Sequence, residues 1–293
     1  MEPVIPEENP ELIILDGGKL AHDLQTELKQ QVEEFQAEVG RTPGLAMIVI
    51  GGDRVALEYA NNASHIALEL GLEYMAYLWP SDTDDRELAL LIKDLNSQRL
   101  FDGISIQAPL PPHISYDEMA GSIDPHKDVE GYHPLNVGRL FSNLDTLVPP
   151  PAAAGIELLL RYGINPAGMR AVVVGRSRVI GKPLSGLLAI ADATVTVCHS
   201  ATRDLELHLR EADLVVACAG VPGLITGDML KPGAVVVDYG KTFEDDELLG
   251  DVDWESVSKV ARAISPVVGG VGPLTTLALM ANTIKAAQRA VYY

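Results

Sequence analysis

The sequence predicts an α/β protein of two domains, each built on a mostly parallel sheet. Three observations carry this. The chain has 293 residues, 47% of them hydrophobic, enough to furnish two separate cores. Short Ile- and Val-rich runs alternate with stretches of helical periodicity, and they do so twice along the chain. Between the two series, residues 108–151 are rich in Pro, Gly, His and Asp and poor in periodicity, and long irregular segments inside compact domains are usually functional.

After a polar start, residues 21–39 read as an amphipathic helix, stopped by Gly40 and by Pro43. The apolar run 45–52, closed by glycines, reads as a buried strand. A helix over 56–70, a strand over 73–79, a helix over 84–95 and a strand over 103–107 complete the first series. Residues 156–162 form a helix that leads into AVVVG, PLSGLLAIA, TVTVCHS, DLELHLREA, LVVACAG and AVVVDYG. That order is β-α-β-α-β-β, Rossmann-like, with strands apolar throughout because helices cover both faces of the sheet. Residues 273–293 form a last long helix. The domains so defined cover 1–147 and 148–269.

Composition narrows the partners. A formal net charge of −19 with no local Lys/Arg cluster opposes binding to a phosphate backbone, so nucleic acid is not expected. The start MEPVIPEENPE lacks the basic and apolar regions of a signal peptide, and no apolar run reaches the roughly 18–20 residues of a membrane span. A cytoplasmic protein is the expectation. His113, His126 and His133 share the irregular segment at spacings that fit no ligand pair, so no metal is expected.

The strand AVVVG ends in Gly175, followed by Arg176, Ser177, Arg178, Val179, Ile180, Gly181, Lys182 and Pro183. Gly175 permits a tight turn, Gly181 lets backbone approach a pyrophosphate, and Pro183 suits the first turn of a helix whose N-terminus faces phosphates. An NAD-preferring site places a carboxylate at the end of the next strand, but here that strand ends in His199 and Ser200. With Arg176 and Arg178 available for an extra phosphate, NADP is favoured over NAD. Ala219, Gly220 and Val221 close the following strand with residues small enough for close passage of a cofactor.

These motifs, together with QAPLPPHI (107–114), DPHKDVEGYHPLNVGRL (124–140) and PVVGGVGPLT (266–275), closely resemble the bifunctional methylenetetrahydrofolate dehydrogenase/cyclohydrolase family, in order and over nearly the whole chain. The resemblance implies an N-terminal catalytic domain, rejoined by a C-terminal helix at about 270–293, beside a Rossmann-like NADP-binding domain, in a homodimer. It implies hydride transfer from methylenetetrahydrofolate to NADP and hydrolysis of the methenyl product. Tyr59, Gln107 and Glu130 take catalytic positions, and Asp128, Gly270 and Pro273 join them as substrate contacts.

Departures cluster at the substrate end. Where the family has a Lys four residues after its Tyr, this chain has Ala63, and no Lys or Arg occurs from Val55 to Asp85. Glu130 stands where the family has Asp. Hydride transfer needs orientation and a water-poor site, whereas methenyl hydrolysis needs a proton carrier, which Ala63 is not. The expectation is a dehydrogenase with weak or absent cyclohydrolase activity. A reshaped pocket for another imine or amine, and a cofactor-binding pseudoenzyme, remain open beside it.

Overall fold

The computed structural model describes residues 9–244 and 247–292. The chain divides into two compact units, one formed by His22–Pro150 with Thr276–Tyr293 and the other by Met1–Ala21 with Pro151–Thr275. The start MEPVIPEE and Tyr293 lie outside the described residues.

In chain order the elements begin with β1 (Ile13–Ile14), α1 (Gly17–Val39), β2 (Gly44–Ile50), α2 (Arg54–Leu70), β3 (Glu73–Trp79), α3 (Asp85–Ser97) and β4 (Gly103–Ile106). The sheet of the first unit runs β3-β2-β4, parallel throughout, and all seven residues of β2 are buried at its centre. Its core gathers Ile48, Ile92, Leu95, Phe101 and Ile104. Helix α2 starts because the Asp53 carboxylate accepts from the Ala56 N–H at 2.9 Å, and it stops at Gly71, whose φ of 83° only glycine adopts readily. Its buried stripe is Ala56, Ala60, Ala63, Ala67 and Leu70, small side chains at helical spacing that let the helix lie close on the sheet.

The irregular segment contains two short helices, α4 (Tyr116–Ser122) and α5 (Pro134–Phe141). Both are too short for periodicity to show, yet each has a cap. The Ser115 hydroxyl accepts from the Glu118 N–H, and His133 Nδ1 accepts from the Leu135 N–H ahead of which Pro134 opens α5.

The chain continues, mostly in the second unit, with α6 (Pro150–Arg161), β5 (Arg170–Val174), α7 (Gly181–Ile190), β6 (Thr194–Cys198), α8 (Leu205–Leu209), β7 (Leu214–Ala217), β8 (Val235–Asp238), β9 (Thr242–Glu244), β10 (Glu247–Leu249), α9 (Trp254–Val257) and β11 (Ala263–Ile264), and ends with α10 (Gly272–Tyr292), which passes into the first unit. The large six-stranded parallel sheet of the second unit has the order β1-β11-β8-β7-β5-β6. The N-terminus departs from the expected boundary: Ile13 and Ile14 pair with Ala263 and Ile264, and Asn9 donates to the carbonyls of Ser258 and Ala261 at 2.8 Å, so this end belongs with the second unit. A two-residue strand whose partner lies about 250 residues away leaves no periodic signal. The last helix behaves as expected, with Thr276 onward packed into the first unit.

Candidate active site

In the first unit, Ser105 and Gln107 lie two residues apart at the end of β4 and therefore share one face of the sheet. The Gln107 Nε2 donates to Ser105 Oγ at 2.8 Å, and Ser105 Oγ donates to Glu130 Oε1 at 2.6 Å. Glu130 reaches this point because Asp128 bridges to Ile104 and because Gly131, with φ of 68°, turns the chain where a Cβ would sit 2.8 Å from Pro149. Tyr59, from α2, shares a hydrogen bond with the Thr276 hydroxyl of α10 and lies close enough to Glu130 to respond to its charge. Four segments distant in sequence thus bring Tyr59, Gln107 and Glu130 together.

The electrostatics of this cluster favour protons. Burial pushes the Glu130 carboxyl up to about 7, with the like charge of Asp128 adding to the effect and hydrogen bonds from Ser105 and Gln107 opposing it. Tyr59 and Tyr132 are both raised, first by burial and then by the charge of Glu130, so both remain phenols at neutral pH. Ala63 is 0% exposed, on the stripe that packs against the sheet, one helical turn from Tyr59. The arrangement can bind a polar heterocycle through a carboxylate, an amide and a phenol. It offers no Lys side chain from α2 to carry a proton.

Asp128, expected as a substrate contact, is tied inward. Only 1% exposed, it accepts from the His133 N–H at 2.7 Å and from Asn136 Nδ2 at 3.0 Å, which makes it the internal brace of the loop that carries Glu130. Asn282 of α10 fastens the same loop, donating to the carbonyls of Val129 and Val148 at 2.7 Å. Gly270 and Pro273 fall in the other unit, where Gly270 packs so tightly that a Cβ would stand 2.2 Å from the Pro266 carbonyl. The three histidines of the segment part company: His113 Nε2 meets the Thr83 carbonyl, His133 caps α5, and the His126 N–H donates to Asp124.

In the second unit, β5 has β6 on one side and β7 on the other, so the strand order reverses at β5. Doubly wound sheets bind ligands outside the carboxyl ends of the strands at such a point. Gly175 sits there with φ of 136°, and a Cβ on it would lie 2.3 Å from the Cys218 carbonyl at the end of β7. A Cβ on Gly181 would lie 2.2 Å from the Gly175 carbonyl. The two glycines thus hold the loop 175–181 compact against the end of the sheet, leaving room for a pyrophosphate to approach the backbone. Ser177 Oγ accepts from the Ile180 and Gly181 N–H groups, and Pro183 occupies the first turn of α7. Arg176, Arg178 and Lys182 are exposed on this loop and helix start. His199 and Ser200 follow β6, with the His199 N–H held by Thr202 at 2.9 Å, and Ala219, Gly220 and Val221 form an exposed turn after β7. The residues present fit a dinucleotide.

Sequence reasoning missed Ser105, Thr276 and Asp251. Ser105 had a signal, a polar residue inside an otherwise apolar buried strand. Thr276 and Asp251 had none: the Thr276 hydroxyl meets Tyr59 about 217 residues away, the Asp251 carboxylate accepts from the N–H groups of residues 219–221 about 30 residues away, and no spacing rule connects either pair.

Comparisons agree with the geometry. Residues 15–130 match the model of the tetrahydrofolate dehydrogenase/cyclohydrolase catalytic domain, and residues 149–291 match that of its NAD(P)-binding domain. The bifunctional protein FolD of Desulfovibrio desulfuricans is 46% identical over 278 residues, covering 94% of this chain and 98% of that one. The FolD of Chloroflexus aurantiacus is 44% identical over 274 residues, covering 93% and 96%. Among solved structures, the FolD methylenetetrahydrofolate dehydrogenase/cyclohydrolase of Campylobacter jejuni superimposes with a TM-score of 0.93 at 38% identity, covering 96% of this chain and all of that one. The Trypanosoma brucei enzyme, solved with NADP cofactor and an inhibitor, gives 0.91 at 35% identity, covering 96% and 99%. With a catalytic-domain match over its first half, a dinucleotide-domain match over its second and relatives along nearly its whole length, the chain belongs to the tetrahydrofolate dehydrogenase/cyclohydrolase family.

Proposed function

We propose that the chain is a cytoplasmic NADP-dependent 5,10-methylenetetrahydrofolate dehydrogenase in which hydrolysis of the methenyl product is absent or slow, working as a homodimer. The observation that carries the second half of this reading is Ala63, fully buried on α2 one turn from Tyr59, where no side chain can carry a proton. NADP supplies the hydride acceptor. The protein's part in oxidation is to bind and orient, with Glu130 and Gln107 on the heterocycle of the folate and Tyr59 beside it, and none of these groups is consumed.

Hydrolysis asks for more. Water must add to the methenyl carbon, a carbon–nitrogen bond must break, and the proton released from oxygen must reach the departing nitrogen. A positioned acid/base typically contributes on the order of 10²–10⁴ to such a step. The phenols of Tyr59 and Tyr132 are held protonated, and the Glu130 carboxyl is engaged by Ser105. Orientation survives, while the proton carrier that a Lys at position 63 would supply is lost.

The test is to supply purified protein with methylenetetrahydrofolate and NADP or NAD, following NADPH formation and methenyl accumulation separately. NADP reduction with methenyl product building up supports the proposal. Immediate conversion to the formyl product overturns the hydrolysis half. Tight NADP binding without turnover would direct the site to a different imine or amine substrate.

A further inference from the structure

The exposed turn at residues 219–221 has an unusual foundation. Its three consecutive N–H groups all point to one carboxylate: Ala219 and Gly220 donate to Asp251 Oδ2 at 2.5 and 2.9 Å, and Val221 donates to Asp251 Oδ1 at 2.9 Å. Asp251 itself is 0% exposed. Beneath it lies a second carboxylate, Asp238 at the end of β8, which accepts from the N–H groups of Gly240, Asp251 and Val252 at 2.7, 3.1 and 3.2 Å. Gly240 is required by this packing, because a Cβ there would stand 2.1 Å from the Asp251 nitrogen. Two buried acids and six backbone N–H groups therefore join the ends of β7 and β8 to the segment 250–252.

The location gives this brace a function. The turn follows β7 beside Gly175, at the point where the strand order reverses and a dinucleotide is expected. In a trans peptide the carbonyl of one residue points opposite to the N–H of the next. With the N–H groups of 219, 220 and 221 held on Asp251, the carbonyls of Cys218, Ala219 and Gly220 face away from it; that of Cys218 packs against Gly175, which leaves those of Ala219 and Gly220. The turn is thereby denied to phosphate and offered to a ligand's N–H donors, a carboxamide or an exocyclic amine.

We propose that Asp251 is a positioning residue for the dinucleotide: it fixes the turn 219–221 in the orientation that receives the cofactor's N–H donors, without touching the cofactor. This rests on the reading that NADP binds here. Asp251→Asn replaces one acceptor oxygen with a donor facing an N–H, so the turn must rotate at one peptide. The expected result, by calorimetric titration of NADP, is affinity about tenfold weaker than wild type, with the KM for methylenetetrahydrofolate and the melting temperature little changed. A purely structural role would instead lower the melting temperature and degrade both constants together, and that outcome overturns the proposal, as does unchanged NADP affinity.

A second measurement needs no variant. In the cofactor-free wild type, the amides of 219–221 should exchange slowly with solvent despite their exposure; fast exchange there sinks the brace directly. Failure of the wild type to bind NADP at all would instead remove the cofactor reading on which the inference stands.

Discussion

The two candidate sites, one in each unit, are built from different materials. Around the glycine loop of the second unit the backbone does most of the work: Gly175 and Gly181 admit close approach, and the Ser177 hydroxyl and the Asp251 carboxylate tie down N–H groups. At the substrate end the work falls to side chains. Tyr59, Ser105, Gln107, Glu130 and Thr276 come from separate elements and meet only through the fold. A backbone cradle tolerates variation in neighbouring side chains. A side-chain cluster changes its chemistry with one substitution, and it is at Ala63 and Glu130 that the resemblance implies other residues.

The comparison breaks most readily at Gly175. Its φ of 136° is a conformation that L side chains rarely adopt, and a Cβ would meet both the Cys218 carbonyl and the Cys218 sulfur at under 3 Å. Gly175→Ala is expected to lower NADP affinity by at least about 10²-fold, since the cradle must open to admit the methyl group. Titration with NADP, alongside circular dichroism to confirm folding, checks this. A variant that binds NADP normally would mean that the loop is not the phosphate site.

Ala63→Lys probes the other half. It introduces the residue that the resemblance implies at this position, and the expected gain in methenyl hydrolysis is on the order of 10²-fold. Dehydrogenase turnover should change much less. Because Ala63 is fully buried, the new side chain must extend along the helix toward Tyr59, and a fall in melting temperature is expected with the gain. Normal folding with no gain in hydrolysis would show that Ala63 is not what limits that step.

How much of this was legible in the sequence follows the same division. The strand–helix alternation, the glycine turn after β5 and the last helix could be read directly, because periodicity and glycine placement are local signals. The strand at 73–79 was placed to the residue. The pairing of Ile13 and Ile14 with Ala263 and Ile264, the inward turn of Asp128 and the brace at Asp251 could not be read, because each depends on a partner brought near only by folding or on the direction a side chain takes. Tyr59, Gln107 and Glu130 were found through the resemblance. Nothing in their spacing announces that they meet.

Glu130 supplies a pH test of the substrate end. Its carboxyl is pushed up from 4.5 to about 7, so the folded state holds a proton that the unfolded chain has already released between those values. The charged form is thus the costly one, and this group's contribution to stability falls as pH rises from about 4.5 and levels off above about 7. The groups that act on it are Asp128, Ser105 and Gln107, while Tyr59 and Tyr132 respond to its charge. Glu130→Gln removes the titration. Relative to wild type it should be more stable at pH 8 than at pH 5, the difference being on the order of 3 kcal/mol at most. Denaturant melts at the two pH values measure it, and a pH-independent difference would place the Glu130 carboxyl in water.

Thr276 offers the mildest perturbation and the sharpest reading of how the cluster is held. Its hydroxyl shares a hydrogen bond with Tyr59 and accepts another from Asn62 Nδ2 at 3.3 Å, so α2 and α10 are joined through this one side chain. Thr276→Val keeps the shape and 2% exposure of the site while deleting the hydroxyl. Loss of one such bond costs about 1 kcal/mol of stability, with a further penalty if the Tyr59 hydroxyl finds no other partner. If Tyr59 orients the folate, the KM for methylenetetrahydrofolate rises several-fold while NADP affinity, set by the backbone cradle of the other unit, does not move. Equal effects on both ligands would mean that the two halves do not divide the work as their construction suggests, and the double variant with Tyr59→Phe would then show whether Thr276 acts through the phenol or independently of it.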